Sequence, residues 1–405
     1  MAYWEQQIQI LKNRSFQFYL YSCIAGTFAS GLAYIVTIWM IVNIYTSVNA
    51  TLVGMILFWV PSLVLSPHLG VVVDHYDRKK LIIIAESVRA VMFIGFSILL
   101  YRFTSLQAVY LLLFLSGCFA ALYKPLLPAF VHELVPQEQL VYANANINMA
   151  YEFGNIIGRG IVTVAVLSLL GIYGALFTIA ILYVISAATM IPVQRHHRER
   201  ETNLVKHPSF IKNMIAGYHY FFFNKELLLY GLIQAGILMS LMAAPVLVGP
   251  YVKTILLAGN QIFGISEAVL SIGTIIGAFF WSYLASYISK ESCLAGASVF
   301  AGLSYLMLAN TNSIIFSLIA FLVLGFSWGS FALIISLVQM ITDKHYQGRV
   351  QAAIGAAVTL AYIGFAIFLY VLGEQYNVQH AFLFLATLCL FIFGGSIKAK
   401  KVGKI

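Results

Sequence analysis

The chain has 405 residues, of which 61% are hydrophobic and only 9% charged, and its mean hydropathy is +0.91. A water-soluble fold cannot enclose that much apolar surface, so lipid is the expected solvent, and repeated runs of about 20 apolar residues fit spanning α-helices. The ten-residue alternation of a membrane β-barrel is absent, and the net charge of +9 follows a loop pattern that marks topology, which excludes a nucleic-acid-binding role.

In chain order, a polar, amphipathic start from Trp4 to Arg14 precedes predicted spans over residues 16–44, 50–73, 81–101, 106–131, 141–170 and 172–192. The first apolar run is too long for a cleavable signal. The longest polar stretch follows, Gln194 to Lys212, and after it the aromatic segment Phe210 to Phe223 suits a helix lying in the membrane interface. Six more spans are predicted over 226–252, 262–288, 292–309, 313–340, 349–372 and 378–396. The expectation is an all-α membrane protein of twelve transmembrane helices in two six-helix bundles, residues 1–192 and 225–405, joined by a linker over 193–224. Two such halves with short loops elsewhere are the layout of a transporter built from parallel repeats.

Charge placement orients this layout. Eighteen of the 23 Lys and Arg residues fall in alternate loops and the termini, against Arg102 and Lys253 on the opposite side and Arg89, Lys124 and Arg159 inside spans. The positive-inside rule then puts both termini in the cytoplasm and the protein in the inner or plasma membrane. The four cysteines, Cys23, Cys118, Cys293 and Cys389, stand singly in apolar runs, so neither a metal nor a cofactor is expected. Gly154 with Gly158, and Gly273 with Gly277, have the small-residue spacing that lets two helix backbones touch.

The loop between spans 2 and 3 reads Gly70-Val71-Val72-Val73-Asp74-His75-Tyr76-Asp77-Arg78-Lys79-Lys80. It resembles the loop signature of the major facilitator superfamily, G-x-x-x-D-R-x-G-R-[KR]-[KR], matching at Gly70, Asp74, Arg78, Lys79 and Lys80 and departing at His75 and Asp77. Asp77 before Arg-Lys-Lys is similar to the branch holding macrolide-efflux permeases and enterobactin-exporter-like proteins. That branch is echoed at Pro125-Leu126-Leu127-Pro128-Ala129, at Leu134-Val135-Pro136, at Ala143-Asn144 and at Gly348-Arg349-Val350. The resemblance implies the superfamily fold, and a gating role for Gly70, Asp74, Arg78 and Lys79 in latching one state of the transport cycle. The other reading of these residues is topology alone. The matching loop of the second half, Trp281 to Ser292, keeps Lys290 but has no Asp.

Charges inside spans cost about 2.5–3.5 kcal/mol each on insertion scales, so each calls for a partner or a function. Asn144, Asn148, Glu152, Asn155 and Arg159 recur at spacings of three and four in span 5, on one helical face. That face lines either a substrate cavity or a buried polar network. The proton-coupled exporters of the family carry a Gly-Pro pair here, whereas this chain reads Gly158-Arg159-Gly160; the fixed positive charge favours an anionic or zwitterionic substrate. Glu86 and Arg89, three apart in span 3, are expected to pair with each other. Lys124 in span 4 either snorkels or pairs with Glu152 or Asp74. Glu267 is the one charged residue of span 8, and is either a proton-coupling carboxylate or a hydrated group near the outer interface.

The expected function is secondary active transport by alternating access, exporting a small amphiphilic or anionic molecule such as a siderophore or drug in antiport with protons. Alternatives are a lysophospholipid or lipid-linked substrate, and a membrane sensor that does not transport. Neither a Walker motif nor a nucleophile or metalloprotease motif is present, so ATP is not the direct energy source and an enzyme is not expected. The expected partners are the small-molecule substrate and the bilayer, with the protein a monomer.

Overall fold

The computed structural model of the chain describes residues 10–45, 48–136, 139–195, 219–343, 346–372 and 378–402. They form helices α1 (Arg14–Tyr45), α2 (Val48–His75), α3 (Arg78–Arg102), α4 (Leu106–Val131), α5 (Leu140–Arg159) and α6 (Ile161–Met190). After the linker come α7 (Lys225–Thr254), α8 (Asn260–Leu284), α9 (Lys290–Asn310), α10 (Ile314–Trp328), α11 (Phe331–Ile341), α12 (Gln347–Leu372) and α13 (Val378–Val402). Several starts are fixed by side-chain caps: Asp77 accepts from the Lys80 N–H at 2.9 Å, and Asn224 from the Leu227 N–H at 3.0 Å, each satisfying a donor left over at a helix end.

Two breaks reconcile the helices with the spans. Within α6, Gly171 has φ 66° and ψ −174°, backbone that glycine alone adopts without strain, and it separates residues 161–170 from 172–190 where the sequence predicts the turn between spans 5 and 6. Span 10 is divided at Gly329 and Ser330 into α10 and α11. Among the described residues, ten segments are long and apolar enough to cross a membrane. The shorter apolar stretch Asn49–Leu65 in α2 and the Asn-rich α5 fill the remaining two places of an all-α membrane protein with twelve spans.

The chain divides into two compact units, one of Met1–Ile44 with Gly54–Leu204 and one of Tyr45–Val53 with Val205–Ile405. In the first, α3 packs on α6, α2 meets α4 where Gly117 lies against the Phe58 carbonyl, and α1 meets α5 through Gly154 and Gly158. In the second, α9 packs on α13 and α7 on α12. There α8 meets α10 where Gly273 and Gly277 lie against the backbone of Leu322 and Phe326. At each crossing a Cβ on the glycine would collide with the partner helix, so the small residues set the interhelical distance. Each unit has its own apolar core, around Tyr19, Phe130 and Leu134 in the first and around Trp281, Leu294 and Ile334 in the second.

Candidate functional site

The polar face of α5 is fixed against α1. A Cβ on Gly31 would stand 2.8 Å from the Asn155 carbonyl oxygen and 3.3 Å from the Arg159 nitrogen, so the two backbones touch where the stripe ends. Asn155 is half-buried and its amide donates to the Tyr151 carbonyl in its own helix at 3.0 Å. Arg159 closes α5 just before Gly160, where ψ of −102° ends the helix, and its charge suits the negative end of the helix dipole. Its guanidinium carbon lies 5.0 Å from the centroid of the Tyr34 ring, and its Nε is buried with no hydrogen-bond partner. Around Tyr34 the rings continue: Phe58 at 5.1 Å and, beyond it, Trp59 at 5.3 Å from Phe58. The side chains of Asn148, Glu152 and Lys124 lie outside the described residues, as do the pairings considered for them.

Glu86 and Arg89 form a second cluster, wholly enclosed by the first unit. They are 0% and 3% exposed, with Arg89 Nη1 3.8 Å from Glu86 Oε1. The sequence pairs these two alone, yet residues from three other helices complete the cluster. Tyr123 of α4 donates its hydroxyl to Glu86 Oε1. Arg89 donates to the Ser30 hydroxyl of α1 at 2.6 Å and to the Tyr183 hydroxyl of α6 at 2.5 Å. Its guanidinium is also boxed by the rings of Tyr183, Tyr123 and Phe119 at 4.0, 5.2 and 5.8 Å. Gly26 makes room for the carboxylate, since a Cβ there would lie 2.5 Å from Glu86 Oε1. Buried charges are tolerated when paired and hydrogen-bonded in this way.

The loop motif builds a third cluster. Arg78 Nη1 reaches Glu133 Oε1 at 3.3 Å and also donates to the Ala129 carbonyl at 3.3 Å. Arg195, from the start of the linker, pairs with Asp77 and stands 3.5 Å from Glu133 Oε2. Lys79 donates to the carbonyls of Ile191 at 2.7 Å and Val193 at 2.8 Å, satisfying acceptors just beyond the end of α6. Burial would raise the Asp77 carboxyl, but hydrogen bonds from Arg195 and the Lys80 backbone, with the charges of both residues, hold it below its ordinary 3.8. At Glu133 burial prevails over the Arg195 and Arg78 charges, and the carboxyl sits above its ordinary 4.5. The surroundings of Gly70 and the side chain of Asp74 lie outside the described residues.

Glu267 belongs to the second unit, on α8, and is 1% exposed, a burial that speaks against the hydrated position near an interface. A cavity of about 20 Å³ in the same unit is bordered by Ser240, Ser298, Ser327, Ser330 and Trp328; it has room for a single water-sized molecule and not for a transported solute. The sequence-predicted residues thus fall into separate groups: the α5 stripe, the Glu86–Arg89 pair, the loop motif and Glu267. Sequence reasoning missed Glu133 and the roles of Tyr123, Tyr183, Ser30 and Arg195. Glu133 carried a usable signal, a lone acid just after an apolar span.

The family model of the Major Facilitator Superfamily matches residues 18–363. An uncharacterized MFS-type transporter, YfiS, of Bacillus subtilis (strain 168) is 26% identical over 366 residues, covering 86% of this chain and 84% of that protein. Macrolide efflux protein A of Streptococcus pyogenes is 25% identical over 345 residues, 83% of this chain and 84% of that one. Among solved structures, the nucleoside transporter NupG superposes with a TM-score of 0.70 at 14% identity, covering 96% and 99% of the two chains, a likeness of fold alone. A family match across most of the chain, on a fold of paired helical units, leads to one conclusion: the chain belongs to the major facilitator superfamily of membrane transporters.

Proposed function

We propose that this transporter is a secondary exporter that works by alternating access, carrying a small amphiphilic or anionic molecule of the siderophore or drug kind outward in exchange for protons. The observation that carries the reading is Arg159: a fixed cation in a membrane span with no ion pair among the described residues. A charge so placed is costly unless something compensates it for part of the time, and an anionic solute does so during each cycle. Similarity to a macrolide efflux protein over 83% of the chain supports the outward direction. Glu267, buried in the second unit, is the carboxylate proposed to bind and release the coupling proton. Arg78 and Lys79, tied to Glu133 and to the end of α6, are proposed with Gly70 and Asp74 as the gate. The excess of Lys and Arg in alternate loops supports cytoplasmic termini in the inner or plasma membrane, with the monomer as the working unit.

A thermal-shift screen of the purified protein against siderophores, macrolides, amino acids and lysolipids tests this reading. Anionic or amphiphilic compounds are expected to raise the melting temperature, and Arg159→Ala is expected to abolish that rise while the protein stays monodisperse. Stabilisation by cations alone, unchanged in Arg159→Ala, would remove the proposal.

A further inference from the structure

Arg159 offers a narrower set of surfaces than a generic positive charge. A guanidinium is planar, and its five N–H donors lie in that plane. Here one side of the group lies over the Tyr34 ring, 5.0 Å from Cζ to centroid, so the attraction between cation and π-face holds it in place. The in-plane donors are left to find acceptors, and one of them, Nε–H, is buried with none. Buried donors without acceptors are rare and each calls for an explanation. Arg89 Nε is likewise buried without an acceptor, but the other arginines held away from solvent have a counter-charge: Arg89 has Glu86, while Arg78 and Arg195 have Glu133. Withdrawal of Arg159 is also blocked, because α1 and α5 touch at Gly31 and Gly158 and fix the backbone from which it projects.

The surroundings select among anions. Tyr34 is 5% exposed, and it leads into half-buried Phe58 and Trp59 through two edge-to-face contacts at interplanar angles of 66° and 85°. Rings packed edge to face leave faces and edges against which another flat π-system lies with favourable electrostatics. An aliphatic tail gains only apolar contact there. We infer that the α1–α2–α5 face of the first unit is a binding site for a planar aromatic anion, an aryl carboxylate whose two oxygens meet the guanidinium edge while its ring lies along the Tyr34–Phe58–Trp59 rim. The inference rests on the reading of Arg159 as the substrate's counter-charge and adds the chemical class.

Equilibrium binding to the purified wild-type protein separates the two, using 1-naphthoate, hexanoate and 1-naphthalenemethanol as probes. Naphthoate is expected to bind at least about tenfold more tightly than either of the others, the sum of a charge-assisted contact and a ring contact. It is expected to quench tryptophan fluorescence in the wild type but much less in Trp59→Phe. Arg159→Lys keeps the charge and loses the planar donors, and is expected to weaken both acids, naphthoate about tenfold, while changing the neutral alcohol little. Equal binding of naphthoate and hexanoate would overturn the aromatic class and leave the anion reading standing. Binding of the neutral alcohol as tightly as naphthoate would overturn both, and quenching that persists unchanged in Trp59→Phe would overturn the location. Should Arg159→Lys fail to fold, the wild-type selectivity and the Trp59 readout decide the matter alone.

Discussion

Two arginines inside the first unit make opposite demands on their surroundings. Arg89 is held by Ser30, Tyr183 and Glu86, so removing either charge strands the other in a low-dielectric interior. Glu86→Gln or Arg89→Met alone is expected to destabilise the protein by about 3–5 kcal/mol, and the double variant to recover much of the loss; thermal melting in detergent measures both. Among the described residues Arg159 has no carboxylate to strand, so Arg159→Gln is expected to melt within a few degrees of wild type while losing ligand binding. The i, i+3 spacing of Glu86 and Arg89 made their pairing legible in the sequence. Tyr123 and Tyr183 were not legible as partners, because nothing along one chain separates a buried tyrosine that receives or donates to a charge from the many that only pack. Residues 30, 123 and 183 meet only once three helices converge on α3.

At the scale of the helices, glycine spacing was a sound guide and apolar run length a less complete one. Gly154, Gly158, Gly273 and Gly277 each lie where a partner backbone leaves no space for a Cβ. Gly117→Leu and Gly277→Leu are therefore expected to abolish monodisperse protein, whereas Gly95→Ala, at a position with nothing within 4 Å, is expected to leave melting unchanged or slightly raised; size-exclusion profiles distinguish the two classes. The break at Gly160 was not legible, since Gly-Arg-Gly within an apolar run reads equally well as continuous helix. At the start of α3, Asp77 departs from the family's glycine and both caps the helix and pairs with Arg195. Its folded carboxyl titrates below 3.8, so the stability it contributes is complete above that value and is lost as pH falls through the lower folded one. Asp77→Ala is expected to cost about 0.5–2 kcal/mol at neutral pH, and the gap between variant and wild-type melting temperatures is expected to close as the pH is taken below the ordinary carboxyl value.

For the whole molecule, composition and the alternation of apolar runs with basic loops specified the membrane class and the number of spans, because the bilayer imposes length and charge rules that act locally along a chain. Which embedded charges belong together was beyond those rules. Glu267 and Arg159 lie in different units of the chain, and the proposal assigns one to the proton and the other to the substrate. Coupling between them is the claim on which the account turns. Counterion-controlled flux of the best-stabilising compound into proteoliposomes, with an imposed pH gradient, tests it most directly. The account predicts flux that follows the gradient in the wild type and falls at least about tenfold in Glu267→Gln with substrate binding retained. Flux that is indifferent both to the gradient and to that substitution would contradict it.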